Sequence, residues 1–267
     1  MTDFTAHPAA PPSAGSPRVP RRGRLAPLVP RPLIAAAHGT ADPAGAEAIR
    51  LLIQQARAAR PGLEITVAYL SKGTPTLADA LAEAGAHGRR PVVAPLLLSS
   101  GYHVAHDIRR AARAAGAPVA RHLGPDPLVV ELLARRLRPL LDAGGAARIV
   151  LAAAGSRDPR AAAETGRAAQ LLADRVGLPV GPAYVTTTAP SLAEAITEHC
   201  DARRTVVATY LLAPGEFERR VRRAAGGAAT PPLAPHPLLA RLLLARYDEV
   251  LAAVVPGLPD PARAAAA

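Results

Sequence analysis

The chain has 267 residues, of which 49% are hydrophobic: enough to bury a sizeable core and too many for wholesale disorder. One cysteine, Cys200, excludes an intrachain disulfide or a cysteine metal cluster and fits a reducing compartment. The net charge of +11, carried on arginine with a single lysine, favours acidic partners, but no zinc-finger spacing, RNP-type aromatic motif or lysine-rich tail singles out nucleic acid.

Residues 1–30 are rich in Pro, Ala, Ser and Arg, show no apolar periodicity, and are expected to form a disordered leader. Arg21-Arg22 is followed only by a short apolar run. No run approaches the roughly 20 residues that span a bilayer, so a cytoplasmic protein is expected.

From Pro32 short apolar runs alternate with longer amphipathic ones, the pattern of βαβ units around a parallel sheet. Leu33–Ala37 predicts a first strand, ending in His38-Gly39-Thr40. Asp42-Pro43 predicts a helix to about Ala59, since aspartate accepts the orphan N–H groups and proline suits the first helical position; Pro61-Gly62 stops it. Glu64–Leu70 predicts a second strand, and Thr74-Pro75 opens a helix ending near Gly85. Val92–Leu98 predicts a third strand, followed by the Ser99-Ser100-Gly101 turn and a helix through His103 to about Ala115. Pro118–Leu123 predicts a fourth strand, and Asp126-Pro127 a helix to about Asp142. Gly144-Gly145 then breaks the chain.

The series then repeats. Gly155-Ser156-Arg157-Asp158-Pro159 echoes Gly39-Thr40-Ala41-Asp42-Pro43, and Ala183-Tyr184-Val185 echoes Ala68-Tyr69-Leu70. Pro190–Ala195 echoes Pro75–Ala80, Pro214-Gly215 echoes Ser100-Gly101, and Pro235–Leu238 echoes Pro125–Leu128. The offset is about 110 to 116 positions throughout. A period this long implies two packed domains and not a solenoid. The expected architecture is α/β: two tandem domains, 31–143 and 146–256, each a parallel sheet of about four strands flanked by helices, with a short tail at 257–267.

The copies differ where chemistry is expected. Ala154 stands where the first copy has His38, and Phe217 stands near the place of His103. A histidine needed only for folding is about as useful in either copy, so joint loss suggests joint work, with only the first domain retaining chemistry. His38 and His103 each follow a predicted strand and adjoin a turn containing glycine, which lets a substrate approach the backbone closely. Imidazole ligates divalent transition metals and accepts a proton near neutral pH. His106 and Asp107, three and four positions after His103, share its helical face. Asp107 is expected either to orient an imidazole or to stabilise the start of the helix. His122 either faces the cleft or bonds within its loop. His7, His87, His199 and His236 are expected to play no chemical part. A two-histidine metal or proton-transfer site and plain scaffold both fit this pattern.

Taken together, Ala37–Pro43, Pro75–Leu81 and above all Pro95–Ile108 (PLLLSSGYHVAHDI) resemble the CbiX/SirB family of class II chelatases, which insert a divalent metal into sirohydrochlorin. The resemblance covers about residues 32–255. It implies two flavodoxin-like chelatase domains with a cleft between them, with metal binding and catalysis by His38 and His103. It implies substrate contacts from Gly39, Thr40, Ser99, Ser100, Gly101 and Tyr102, with His106 and Asp107 in support. No permanent cofactor is implied, because Fe²⁺ or Co²⁺ and the macrocycle are both substrates. The arginine-rich surface suits a polyanionic tetrapyrrole, with Arg109 and Arg110 as candidates to meet its carboxylates. Two departures stand out: Tyr69-Leu70-Ser71 replaces the family's frequent Phe-Leu-Glu, and Ala37 replaces the glycine common before the first histidine. The resemblance leaves iron insertion for sirohaem as the first reading and cobalt insertion for cobalamin as the second. A tetrapyrrole or metal carrier without catalysis and a nucleic-acid binder are the rivals outside that class; no membrane and no nucleic-acid partner is implied, and the oligomeric state is left open, a monomer being compatible with the sequence.

Overall fold

The computed structural model describes residues 31–186, 188–197 and 204–254, with the backbone alone for 102–105. The expected leader, the tail, His7, His199 and Cys200 lie outside the described residues.

Each copy of the repeat folds around a three-stranded parallel sheet. In the first, β1 (Leu33–Gly39) lies between β2 (Ile65–Lys72) and β3 (Val92–Pro95). In the second, β4 (Arg148–Ala153) lies between β5 (Val180–Tyr184) and β6 (Thr205–Tyr210). Helices α1 (Pro43–Ala59), α2 (Leu77–Ala86), α3 (Tyr102–Ala114) and α4 (Pro127–Asp142) belong to the first copy. Helices α5 (Pro159–Val176), α6 (Leu192–Thr197), α7 (Glu216–Ala224) and α8 (Pro237–Val254) belong to the second.

The local signals act as their chemistry dictates. Asp42, Asp126 and Asp158 each accept a backbone N–H two residues on, at 3.0, 2.9 and 3.0 Å, and each is followed by proline at the first helical position. Thr40 and Ser156 in turn accept the N–H of Asp42 and Asp158, so both copies enter their first helix by the same hydroxyl-then-carboxylate relay. Thr76 and Asp79 close a capping box at the start of α2.

Two expectations about strands need correction. The third strand stops at Pro95, short of Leu98: Leu96 still donates its N–H to Ala36 O, after which Leu97 and Leu98 bond to Leu123 and Tyr210 instead. The fourth strand of each copy shrinks to single bridges, Val93 with Val119 and Val207 with Ala229. In the first copy the reason is visible: Val93 donates to Pro118 O and accepts from the Ala120 N–H, and the next rung would need an N–H from Pro95, which has none.

One face of each sheet is covered by its own helices. Ile34, Ala36 and Val93 pack with Leu77, Leu81, Ile108 and Ala112 of α2 and α3, and Val150, Ala152 and Val207 pack with Leu192, Ala195 and Val221 of α6 and α7. The other faces are shared between each copy's own first helix, α1 on β2 and α5 on β5, and the last helix of the other copy. The last helix of the second copy, α8, lies on α1 and β3, while α4 lies on α5 and β6. Leu33, Leu52, Leu133, Leu151, Leu172, Leu243 and Tyr247 therefore belong to one continuous core. The repeats are separate in sequence, yet the two halves are interleaved in space. Arg246 of α8, 3% exposed, fastens this arrangement: it donates to Asp126 at 2.7 Å, Glu249 at 2.7 Å and the His122 carbonyl at 3.1 Å.

Candidate active site

The strand order β2-β1-β3 reverses direction of growth between β1 and β3, and open α/β sheets bind ligands outside the carboxyl ends of strands at such a switch point. His38 is the sixth residue of β1, at that edge. The five residues before it are buried, and its own side chain is exposed. The register slips here: Ala37 pairs with Tyr69 but Gly39 with Lys72, so β2 bulges opposite His38. Bulges of this kind re-aim side chains next to functional sites. Gly39 follows with φ +96°, where a Cβ would lie 2.2 Å from the Lys72 carbonyl oxygen; no other residue fits so close to the neighbouring strand.

Ser71, which stands where the family often has glutamate, donates from its hydroxyl to the His38 carbonyl at 2.7 Å. Thr186 makes the matching bond to the Ala154 carbonyl at 2.8 Å in the second copy. The hydroxyl thus anchors the end of the central strand whether or not a histidine stands there.

The other histidine-bearing segment leaves β3, the strand beside β1. Residues 96–101 carry the chain from β3 to α3, held by bonds that are non-local or made within the turn. The Leu96 N–H donates to Ala36 O at 2.8 Å, and Leu97 O accepts from the Leu123 N–H at 2.8 Å. Leu98 O accepts from the buried Tyr210 hydroxyl at 3.0 Å. Ser100 donates both its N–H, at 2.6 Å, and its hydroxyl, at 2.7 Å, to Glu164. Gly101, whose N–H donates to Ser99 O, caps α3, and His103 is the second residue of that helix. The side chains of Tyr102 and His103 lie outside the described residues.

His122 completes the cluster around Glu164. Its Nε2 lies 3.2 Å from Ser100 Oγ and 3.2 Å from Glu164 Oε1. Because the Ser100 hydroxyl already donates to that carboxylate, Nε2 is the donor of this pair. Burial pushes the Tyr210 hydroxyl well above the ordinary tyrosine value, and the Glu164 and Asp126 carboxylates push it further, so the group that reaches Leu98 is a neutral donor. Gly124 makes room for it: a Cβ there would lie 2.1 Å from the Tyr210 oxygen.

The remaining predicted residues take other places. Thr40 bonds Asp42 in the entry to α1. His106 and Asp107 are exposed on α3 and lie 3.9 Å apart, with Arg110 3.7 Å from Asp107. Arg109 and Arg110 are exposed on the same helix. His236 caps α8, its Nδ1 accepting from the Leu238 N–H at 3.1 Å, and burial together with Arg136 and Arg135 holds it below the ordinary imidazole value. His87 is bonded to Glu83 O at the end of α2. Among the described residues no three His, Cys, Asp or Glu side chains are grouped to hold a metal ion.

The reasoning from sequence missed Glu164, Tyr210 and Arg219, all from the second copy. Arg219 of α7 pairs with Asp42, beside the point where a Cβ on Gly45 would meet Pro214 O at 2.5 Å. The comparison that exposed Ala154 and Phe217 also carried the missed signal, since Ala48 stands where the second copy has Glu164, and Leu96 where it has Tyr210.

Comparisons with known proteins agree with this architecture. Among curated proteins none matches the sequence. The fold is similar to SirB from Bacillus subtilis with Fe³⁺, at TM-score 0.70 and 23% identity over 83% of this chain and 96% of that one. It is also similar to SirB from Bacillus subtilis subspecies spizizenii in complex with cobalt, at TM-score 0.68 and 22% identity over 81% and 93%. A third similar structure is CbiX, the terminal enzyme for siroheme biosynthesis in denitrifying bacteria, at TM-score 0.61 and 18% identity over 80% and 99%. No helix among the described residues is long and apolar enough to cross a membrane. The CbiX family model matches twice, over residues 32–140 and 148–250, and the chain belongs to the CbiX family.

Proposed function

We propose that the chain inserts Fe²⁺ into sirohydrochlorin to give sirohaem, in the cytoplasm, with His38 and His103 as the residues that hold the incoming ion. Membership of the CbiX family supports metal chelation as the class of reaction. The observation that carries the assignment of residues is topological. The segments bearing the two histidines leave adjacent strands at the switch point of one sheet, and the matching segments of the other sheet carry Ala154 and Phe217.

The chemistry asked of these residues is modest. Two imidazoles, with water or substrate filling the other positions, bind a divalent ion through neutral nitrogen and leave it free to transfer. Insertion displaces two pyrrole protons, and an imidazole or a water beside it accepts them. The basic surface draws in the polycarboxylate macrocycle, and arginines pair with its carboxylates. Metal and macrocycle are consumed as substrates.

An anaerobic assay with sirohydrochlorin and either Fe²⁺ or Co²⁺ tests this reading. Metal insertion faster than the uncatalysed rate, with Fe²⁺ the better substrate, is the expected result. Faster insertion of Co²⁺ would turn the assignment to the cobalt branch, and binding of sirohydrochlorin with no acceleration for either ion would make the protein a carrier.

A further inference from the structure

The two copies meet through a pair of contacts related by the repeat. In each, the first helix of one copy approaches the turn after the third strand of the other. In the silent direction, α1 approaches Pro214-Gly215. That contact is steric: Gly45 lies against the Pro214 carbonyl, Ala48 is buried, and proline has no N–H to give. In the other direction, α5 approaches Ser100-Gly101, and here Glu164 takes the place of Ala48 and Ser100 that of Pro214. The carboxylate accepts two hydrogen bonds from one residue, at 2.6 and 2.7 Å, and His122 closes the cluster from the side. The two turns also differ in conformation, for the N-cap glycine has φ −80° in the first copy and 159° in the second.

We propose that Glu164 is a positioning residue for metal insertion: by clamping both donors of Ser100 it fixes the turn that starts α3, and so sets where His103 stands relative to His38. This rests on the reading of His103 as a site residue. It gives the half of the chain without site histidines a defined task, since Glu164 reaches the turn from α5 and Tyr210 holds Leu98 from β6. A carboxylate serves this task because both of its oxygens accept, and hydrogen bonds to an ionised acceptor are the stronger kind. Ser100 Oγ at 2.7 Å and its N–H at 2.6 Å engage different oxygens of the same group, which fixes the turn in two directions.

The test uses the full chain and the anaerobic Fe²⁺ assay, with kcat and the KM for sirohydrochlorin measured separately and the melting temperature as a control for folding. Glu164→Ala is expected to lower kcat by about 10- to 100-fold, the scale of an ångström-level misplacement, with KM nearly unchanged. Glu164→Gln keeps an oxygen for the Ser100 N–H and an amide to pair with the hydroxyl, with His122 shifting its proton to Nδ1 so that Nε2 accepts from that amide, and it is expected to stay within about threefold of wild type. Glu164→Asp keeps the charge but falls short by one methylene, and is expected to lie between the two. The order Gln above Asp marks hydrogen-bond geometry, and it can be read even if the alanine variant fails to fold. Asp above Gln, or kcat of all three variants close to wild type while His103→Ala is inactive, would overturn the role of Glu164 alone. Full activity in His103→Ala would overturn the site reading and this role together.

Discussion

Glu164 of the second copy accepts the backbone N–H of Ser100 in the first at 2.6 Å, and in doing so ties the interleaved halves together at the turn that precedes His103. The repeat-related position, Ala48, carries no group that can do this. The two halves differ accordingly: the first carries His38 and His103, and the second ties down the turn before His103 through Glu164 and Tyr210.

The tie between Asp42 and Arg219 is a first place to measure that holding. The Arg219 guanidinium beside Asp42 keeps its carboxyl below the ordinary value of 3.8. A group with a depressed folded pKa adds stability that is complete above the unfolded value and is lost as pH falls through the folded one. Asp42→Asn keeps the cap on Ala44 but removes the charge. Urea unfolding is expected to show the variant less stable at neutral pH, with the gap closing below pH 3.8. A gap independent of pH would assign the loss to the cap.

Tyr210 gives the opposite sign. Its neutral form is favoured by burial, so the stability it adds is complete below its ordinary value of 10.0 and declines as pH rises beyond it. Tyr210→Phe leaves the Leu98 carbonyl without its donor and is expected to cost about 1–2 kcal/mol at pH 7. The difference from wild type is expected to shrink in alkaline denaturation series.

Gly39 and Gly155 share a positive φ, +96° and +93°, yet face different obstacles. A Cβ on Gly39 meets the backbone oxygen of Lys72 at 2.2 Å, whereas one on Gly155 meets the Thr186 hydroxyl at 2.5 Å. Side chains yield and backbone does not, so Gly39→Ala is expected to cost about 3 kcal/mol or more and Gly155→Ala about 1–2 kcal/mol. Thermal unfolding measures the difference, and only the Gly39 variant is expected to impair metal insertion.

Arg246→Met tests the interleaving itself. The buried guanidinium serves Asp126, Glu249 and the His122 carbonyl at once. Its removal leaves the half-buried Asp126 without a counter-charge and is expected to cost about 3 kcal/mol in chemical denaturation.

The parts of the fold legible in sequence were those set by neighbours along the chain. Helix α1 runs from Pro43 to Ala59, as expected, because Asp42-Pro43 and Pro61-Gly62 act within a few residues of the ends they define. The repeat was legible because its turn chemistry recurs. Strand β3 was over-extended because Leu97, Leu98 and Ser100 satisfy their groups on Leu123, Tyr210 and Glu164, which no local pattern announces, and the fourth strand of the first copy because Pro95 has no N–H for a further rung. The exchange of α4 and α8 was invisible for a related reason: an amphipathic stripe shows that a helix covers something, not which sheet. The histidines of the candidate site were found by comparing copies, and Glu164 would have been found the same way had Ala48 been set beside it.

The central claim is that His38 and His103 act together on the incoming metal, and the rate of anaerobic Fe²⁺ insertion into sirohydrochlorin by His38→Ala, His103→Ala and the double variant tests it most directly. Each single variant is expected to lose about 100-fold or more, with the double variant scarcely worse than either, as befits residues that work as a unit. Near-normal insertion by either single variant, in protein shown to be folded, would contradict the account.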